Sequence, residues 1–326
     1  MHILVIGAAG MVGRKLIEAL VREGGLGGKP IERFTLTDVV APTAPAGFTG
    51  KVETLAADMS TPGIAAKLIA NRPDVIFHLA AIVSGEAEAD FEKGYRINLD
   101  GTRYLLEAIR LAGGYMPRLV FTSSIAVFGA PFPEAIGDEY FSTPLTSYGT
   151  QKAISELLLN DYSRKGFVDG VGVRLPTIVV RPGKPNAAAS GFFSNILREP
   201  LAGQEAVLPV SRDVRHWFAS PRAAVGFLKH AATMDSAALG WRRTVTAPGL
   251  SATVADEIEA LRRVAGEKAV RLIREEPNET IIGIVAGWPR NFDARRAEAV
   301  GFVADRSFDD ILRAHIDDEL RGKISV

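Results

Sequence analysis

The sequence predicts an α/β fold: a doubly wound parallel sheet with helices on both faces, followed by a smaller C-terminal substrate-binding region. Three observations predict it. Apolar runs of strand length alternate with amphipathic helical segments through the first 180 residues. The first run leads directly into Gly7, Gly10 and Gly13 and then a helix. An acid, Asp38, ends the second run.

Residues 2–7, HILVIG, are continuously apolar, as a parallel strand buried on both faces should be. Over 11–24, helical spacing places Val12, Leu16, Ala19 and Leu20 on one side, and Gly24 is the stop. Strands follow at 33–40 and 52–58, then a short helix over 65–73 that Pro73 ends. The fourth strand, 74–82, precedes a long amphipathic helix over 95–113. The fifth strand and its loop, RLVFTSSIAVFG, occupy 118–129. A helix over 147–166 and a sixth strand over 170–180 complete the series. After residue 180 the chain turns rich in Pro, Gly and small residues, with short helical patterns at 220–234, 252–265, 293–300 and 307–320. We therefore expect a dinucleotide-binding domain over 1–180. Residues 181–326 form mainly the substrate-binding region, with about 213–236 packing back on the first domain.

Composition removes other classes. Lys plus Arg and Asp plus Glu balance at 38 each, which argues against broad nucleic-acid or acidic-membrane binding. Without Cys there is no disulfide, thiolate ligand or Cys nucleophile. The histidines at 2, 78, 216, 230 and 315 form no metal-spaced pair, so no metal site is expected. His78, inside an apolar strand, reads as a packed core residue; His216, beside Arg215 and Trp217, is a candidate substrate contact. No apolar run approaches the ~20 residues of a membrane helix. The N-terminal apolar stretch lacks a basic flank and reads as a strand, so a soluble cytoplasmic protein is expected.

The glycine spacing is G-x-x-G-x-x-G. A tight glycine turn lets the backbone approach a pyrophosphate, and the helix that Met11 and Val12 open supplies unpaired N–H groups and a positive dipole end. Glycines here also suit any strand–helix turn that needs positive φ; the order strand, turn, helix, strand, acid favours the dinucleotide. The Asp38 carboxylate can accept from ribose hydroxyls and repel a 2′-phosphate. Val39, Val40 and Ala41 follow it with no Arg, so NAD is expected over NADP. The bland alternative is that Asp38 begins a solvated loop. Asp58 and Met59 end the third strand, where they can meet the adenine.

Tyr148 and Lys152 lie one helical turn apart and share a face. A nearby cation favours phenolate and should lower the phenol pKa from ~10. Such a phenol can take a proton from an alcohol or return one to a carbonyl. The pair alone is equally a wet helix face. Its position after the fifth strand, which ends in Ser123 and Ser124, puts hydroxyl, phenol and ammonium at the carboxyl edge of the sheet, where open α/β sheets bind ligands.

In order, GAAGMVG, Asp38, Asp58, HLAA (78–81), INLDGT (97–102), TSSIAVFG, SYGTQK and RLPTIVVRPG resemble the extended short-chain dehydrogenases/reductases, the superfamily of NAD-dependent epimerases, dehydratases and dehydrogenases with a Rossmann fold. The agreement covers about residues 1–185. The resemblance implies that Ser124, Tyr148 and Lys152 are catalytic and that Lys152 also holds the nicotinamide ribose. It assigns Gly7, Gly10 and Gly13 to the pyrophosphate, and Leu79, Ala80 and Ala81 to the adenosine half. Asn98 lies near the cofactor or is a buried structural amide, and Pro176 and Thr177 meet the nicotinamide amide. A homodimer through the Tyr148 helix and its neighbour over 95–113 is possible; Leu157, Leu158 and Leu159 suit that or burial on the sheet.

Departures put a nucleotide-sugar substrate in doubt. Phe128 stands where many epimerases have Tyr, VRPGKPN replaces a YGP signature, and RHWFASPR replaces HVDD. The resemblance implies oxidation of the C2 hydroxyl of a small anionic sugar acid. The alternatives are a nucleotide-sugar epimerase and a non-catalytic NAD sensor. Arg181, Lys184, Asn186, Arg212 and Arg215 offer groups for the anion, and Ser84 is a candidate for substrate hydroxyls; each is also read as an ordinary loop residue.

Overall fold

The computed structural model describes residues 1–183 and 189–325. Seven strands build one parallel sheet: β1 (His2–Ile6), β2 (Arg33–Asp38), β3 (Lys51–Ala56), β4 (Val75–His78), β5 (Arg118–Ser124), β6 (Asp169–Leu175) and β7 (Thr244–Thr246). Their spatial order is β3-β2-β1-β4-β5-β6-β7. The order reverses at β1, which makes the crevice beyond the carboxyl ends of β1 and β4 the natural ligand site. The helices that position the site are α1 (Met11–Glu23), α2 (Ile64–Ile69), α3 (Ser84–Ala89), α4 (Gly101–Leu111), α5 (Ser147–Arg164), α6 (Gly191–Leu201), α7 (Pro221–Thr233), α8 (Val254–Ala265) and α9 (Phe308–Leu320).

The continuous apolar reading of β1 has a direct counterpart. Ile3 and Val5 pack on one face against Leu16 and Leu20 of α1 and Leu228 of α7. Leu4 and Ile6 pack on the other, in the core shared with Leu68 of α2, Leu105 and Ile109 of α4 and Leu159 of α5. Leu157, by contrast, is 68% exposed. A further core gathers α6, α8 and α9 around Phe193, Phe218, Leu261 and Leu312. No helix among the described residues is long and apolar enough to cross a membrane.

Three elements differ from expectation. The strand expected over 170–180 leaves the main sheet at Leu175. Thr177–Ile178 pair instead with Arg215–Ala219, which in turn pairs with Leu250–Thr253. Pro176 has no N–H for the ladder, and it sits at the break. The helix expected over 95–113 opens with a π-helical turn at Tyr95–Asp100 before α4 begins. The seventh strand, β7, is three residues long, too short for apolar alternation to reveal it.

Candidate active site

At the carboxyl end of β1, Gly7 adopts φ +93°. A Cβ there would lie 2.7 Å from the Ala80 nitrogen, so the strand-end segment Leu79–Ala80 passes directly over the glycine turn. A Cβ on Gly13 would lie 2.2 Å from the Gly7 carbonyl oxygen. Gly10 caps α1 without any side-chain hydrogen bond. The first N–H groups of the helix, at Met11 and Val12, therefore have no intrahelical acceptor. The Asp38 carboxylate accepts from the Ala9 N–H at 2.9 Å and the Val39 N–H at 2.7 Å, which fixes it beside the turn.

Asp58 accepts from Ser60 N–H at 2.8 Å and from Arg96 at 2.7 Å, while Met59 is buried in the core. Asn98 is buried and its amide is committed. It accepts from the Ile82 N–H at 2.9 Å and donates to the Ile82 carbonyl at 3.2 Å and to Gln151 at 2.8 Å. It thus fastens the segment holding Leu79, Ala80 and Ala81 to α5, and the π-helical turn carries it there.

Thr146 caps α5 by accepting from the Gly149 N–H at 3.1 Å. The cap sets the first turn, and Tyr148 faces Ser124 across it. The Ser124 hydroxyl accepts from the Ala126 N–H at 3.1 Å. Its neighbour Ser123 points the other way, as strand alternation requires. Ser123 is buried and donates to the Glu156 carboxylate, which also holds Arg174 at 2.7 Å. The Arg174 guanidinium lies 4.9 Å from the Phe128 ring centroid and 3.4 Å from Asp138. The two serines are thereby separated: one faces the phenol, the other locks α5 to the sheet.

Lys152 is buried and donates to the Thr122 carbonyl at 2.7 Å. Burial lowers its pKa to about 7, against the opposing pull of Glu156. Burial also raises the Tyr148 pKa; the Ser124 hydroxyl and the positive charge of Arg181 pull it back. The expectation that Lys152 lowers the phenol pKa is corrected here. Desolvation outweighs it in the free protein, and the cation acting on the phenol is Arg181.

Arg181 donates to the Ile178 carbonyl at 3.0 Å and to the Ser190 hydroxyl at 3.2 Å, and its main chain is held by Ser194 and Arg198. A cavity of about 120 Å³ lies between it and the glycine-turn helix, lined by Met11, Arg181, Ser194, Asn195 and Arg198. Ser84 opens α3, which leans on the catalytic helix through Glu88 accepting from the Ser147 N–H at 2.9 Å. Arg215 is not gathered in: it is exposed and donates to the Ser251 carbonyl at 3.0 Å. Arg212 pairs with Glu275. Lys184 and Asn186 lie outside the described residues. Thr177 hydrogen-bonds His216, a buried residue whose ring stacks on Phe193. Among the described residues, no group of three or more His, Asp or Glu side chains is arranged to hold a metal ion.

Residues 3–235 match the NAD dependent epimerase/dehydratase family. The chain belongs to this family. It is 48% identical over 322 residues to D-erythronate dehydrogenase of Cupriavidus necator, covering 98% of each chain. It is 43% identical to D-erythronate dehydrogenase of Haemophilus influenzae, over 97% of this chain and 99% of that one. The crystal structure of the nucleoside-diphosphate-sugar epimerase from Agrobacterium tumefaciens superposes with a TM-score of 0.98 at 68% identity, covering 100% of this chain and 96% of that one. Family and relatives make the protein an NAD-dependent oxidoreductase of the extended short-chain type.

The residues present fit a dinucleotide. The uncapped start of α1 offers N–H donors to an anion. The Lys152 ammonium has three N–H donors, and Thr122 is its one hydrogen-bond acceptor among the described residues, which leaves donors for hydroxyl oxygens. The family motifs locate these groups by sequence. The action of Arg181 on the phenol and the Thr177–His216 pair carry no spacing signal, because they join chain segments that only the fold brings together.

Proposed function

We propose that the protein oxidises the C2 hydroxyl of D-erythronate, giving 2-dehydro-D-erythronate, with NAD as oxidant. The observation that carries the chemistry is that the Ser124 hydroxyl and the Arg181 charge both act on the Tyr148 phenol and favour its anion. The substrate reading is supported by two relatives named D-erythronate dehydrogenase that align along nearly the whole chain. In this reading Gly7, Gly10, Gly13, Met11 and Val12 hold the pyrophosphate. Asp38 takes the adenosine ribose, with Asp58, Met59, Leu79, Ala80, Ala81 and Asn98 around the adenosine half, and Pro176 and Thr177 meet the carboxamide.

Bound NAD would supply the hydride acceptor for C2. Ser124 holds the substrate oxygen by a hydrogen bond. The Tyr148 phenolate takes the hydroxyl proton as the C–H bond breaks, so the alcohol loses one proton and one hydride and becomes a ketone. Lys152 donates to ribose hydroxyls. Arg181 binds the substrate carboxylate, with Ser84 and Asn186 serving its hydroxyls; Arg215 enters this scheme only if substrate binding draws it inward.

A second reading, a nucleotide-sugar epimerase, is favoured by the 68% identical Agrobacterium structure. The two differ in net redox change. Purified protein is mixed with NAD and D-erythronate, and separately with UDP-glucose, and absorbance of the reduced nicotinamide is followed. A rise with D-erythronate is expected. Silence there, together with interconversion of the nucleotide sugar, establishes the second reading.

A further inference from the structure

We infer that His216 is a positioning residue that holds the Thr177 hydroxyl proton, so that the Thr177 oxygen can only accept a hydrogen bond from a ligand in the crevice. The inference deepens the proposed reaction and rests on that reading for its ligands.

The chemistry of two contacts sets the direction. His216 Nδ1 lies 2.8 Å from the Pro289 carbonyl oxygen. A carbonyl oxygen only accepts, so Nδ1 carries the ring proton. In a neutral imidazole the other nitrogen is then a bare acceptor. His216 Nε2 lies 2.6 Å from Thr177 Oγ1, so the Thr177 hydroxyl donates to it. The hydroxyl has one proton and two lone pairs. With the proton committed, what remains is acceptor capacity alone.

The arrangement is built to stay. The ring is parallel to Phe193 at 5.3 Å and meets Phe218 edge-on at 5.4 Å, with Trp288 5.4 Å away. Burial drops its pKa to about 4, against the Pro289 carbonyl and with help from the Arg181 charge, so the ring is neutral at physiological pH. Four segments thus converge: the short strand Thr177–Ile178, the strand Arg215–Ala219, α6, and the stretch carrying Trp288 and Pro289.

The place is the active crevice. Leu175 pairs in register with Ser124, and Thr177 is two residues further along. Thr177 is half-buried between the buried Pro176 and Ile178. The Arg181 charge acts on His216 and on Tyr148 alike. A donor ligand is therefore selected: a carboxamide N–H or a sugar-acid O–H. A carbonyl or carboxylate oxygen at this point meets lone pairs and is disfavoured.

The test has a ligand-free part. With ¹⁵N-labelled histidine, the His216 resonances (assigned through His216→Gln) should show a protonated Nδ1 and an unprotonated Nε2. A protonated Nε2 overturns the proposal whatever the substrate is. Thr177→Val, close in shape and without the hydroxyl, and His216→Phe should each lower kcat/KM about tenfold, the scale of one lost hydrogen bond. Because both act through one oxygen, the double variant should be no worse than either. His216→Gln, which keeps an acceptor, should recover part of the loss. Additive effects overturn the proposal. The source of the donor is read from NADH affinity by fluorescence and from the KM of D-erythronate. Weakening confined to NADH assigns the carboxamide, weakening confined to the KM assigns a substrate hydroxyl, and no change in either sinks the idea. If D-erythronate proves not to be the substrate, the histidine spectrum and NADH affinity still decide the matter.

Discussion

The Lys152 ammonium, 5.8 Å from the Tyr148 ring centroid, is buried with the Thr122 carbonyl as its hydrogen-bond acceptor at 2.7 Å. A buried cation with so little compensation costs stability in the free protein, which its pKa of about 7 records.

Lys152→Met should therefore separate function from stability. Activity should fall by about a hundredfold or more, with weaker NADH binding. The fold should gain about 1 kcal/mol or more in urea denaturation. The sign with pH follows from the lowered folded value. Below about 7 both folded and unfolded lysine are charged and the penalty is full. It fades as pH rises toward the unfolded value of ~10.4. The gain from Lys152→Met should therefore be largest below neutrality; a gain that grows with alkalinity contradicts the assignment.

For Tyr148, burial holds the phenol neutral, and Ser124 and Arg181 favour its anion. Oxidation needs the phenolate, so kcat/KM for the alcohol should rise with pH. Ser124→Ala removes one stabiliser of the anion and should move that rise to higher pH, besides lowering its plateau. Tyr148→Phe should cost about a thousandfold. A pH profile of Ser124→Ala whose midpoint does not move would count against the role given to the serine.

The strands of the parallel sheet were largely legible because continuous apolar runs such as residues 2–7 announce strands buried on both faces, and the glycine turn marks the first crossover. Thr244–Thr246 was not legible: three residues carry no period, and the strand exists because β6 offers it an edge. The break at Pro176 was readable in principle, since the ring removes a ladder donor, but the apolar run on either side masked it. At the site, spacing located Tyr148 and Lys152 correctly on one helix. The direction of their pKa values depends on burial, which spacing does not contain. The residues alone did not separate Ser123 from Ser124; the family resemblance chose Ser124, and Glu156 and Arg174 beneath Ser123 supply the physical reason.

The glycine turn makes a sharper distinction than the motif suggests. Gly13→Ala puts a methyl 2.2 Å from the Gly7 carbonyl oxygen, a backbone atom with little freedom to move. The fold should lose about 2 kcal/mol or more, visible as a lower urea midpoint. Gly10 has φ −68°, and a Cβ there lies 3.4 Å from the same oxygen. Gly10→Ala should keep nearly wild-type stability, so any loss it causes should appear in NADH affinity. Equal destabilisation by the two substitutions is the outcome that contradicts this geometry.

Acid should unfold the protein through its buried histidines. Burial lowers the pKa of His78 to about 3, with Lys152 adding to the effect. It lowers His216 to about 4, with Arg181 adding and the Pro289 carbonyl opposing. It lowers His315 to about 4 against Glu319, with Arg198 and Lys15 reinforcing. Unfolded histidine takes up a proton near 6.5. Below that pH the unfolded chain binds more protons than the folded one, so stability is full above about 6.5 and is lost as pH falls toward the folded values. Each histidine should remove about 2 kcal/mol between pH 6.5 and pH 5. Urea titrations across that interval measure the slope directly. His2 is lowered by burial too, and the buried Glu257, raised by burial, opposes the slope; His315→Leu removes one histidine contribution and should make the slope shallower. An unchanged slope in that variant shows that the carboxylates, not this histidine, drive acid unfolding.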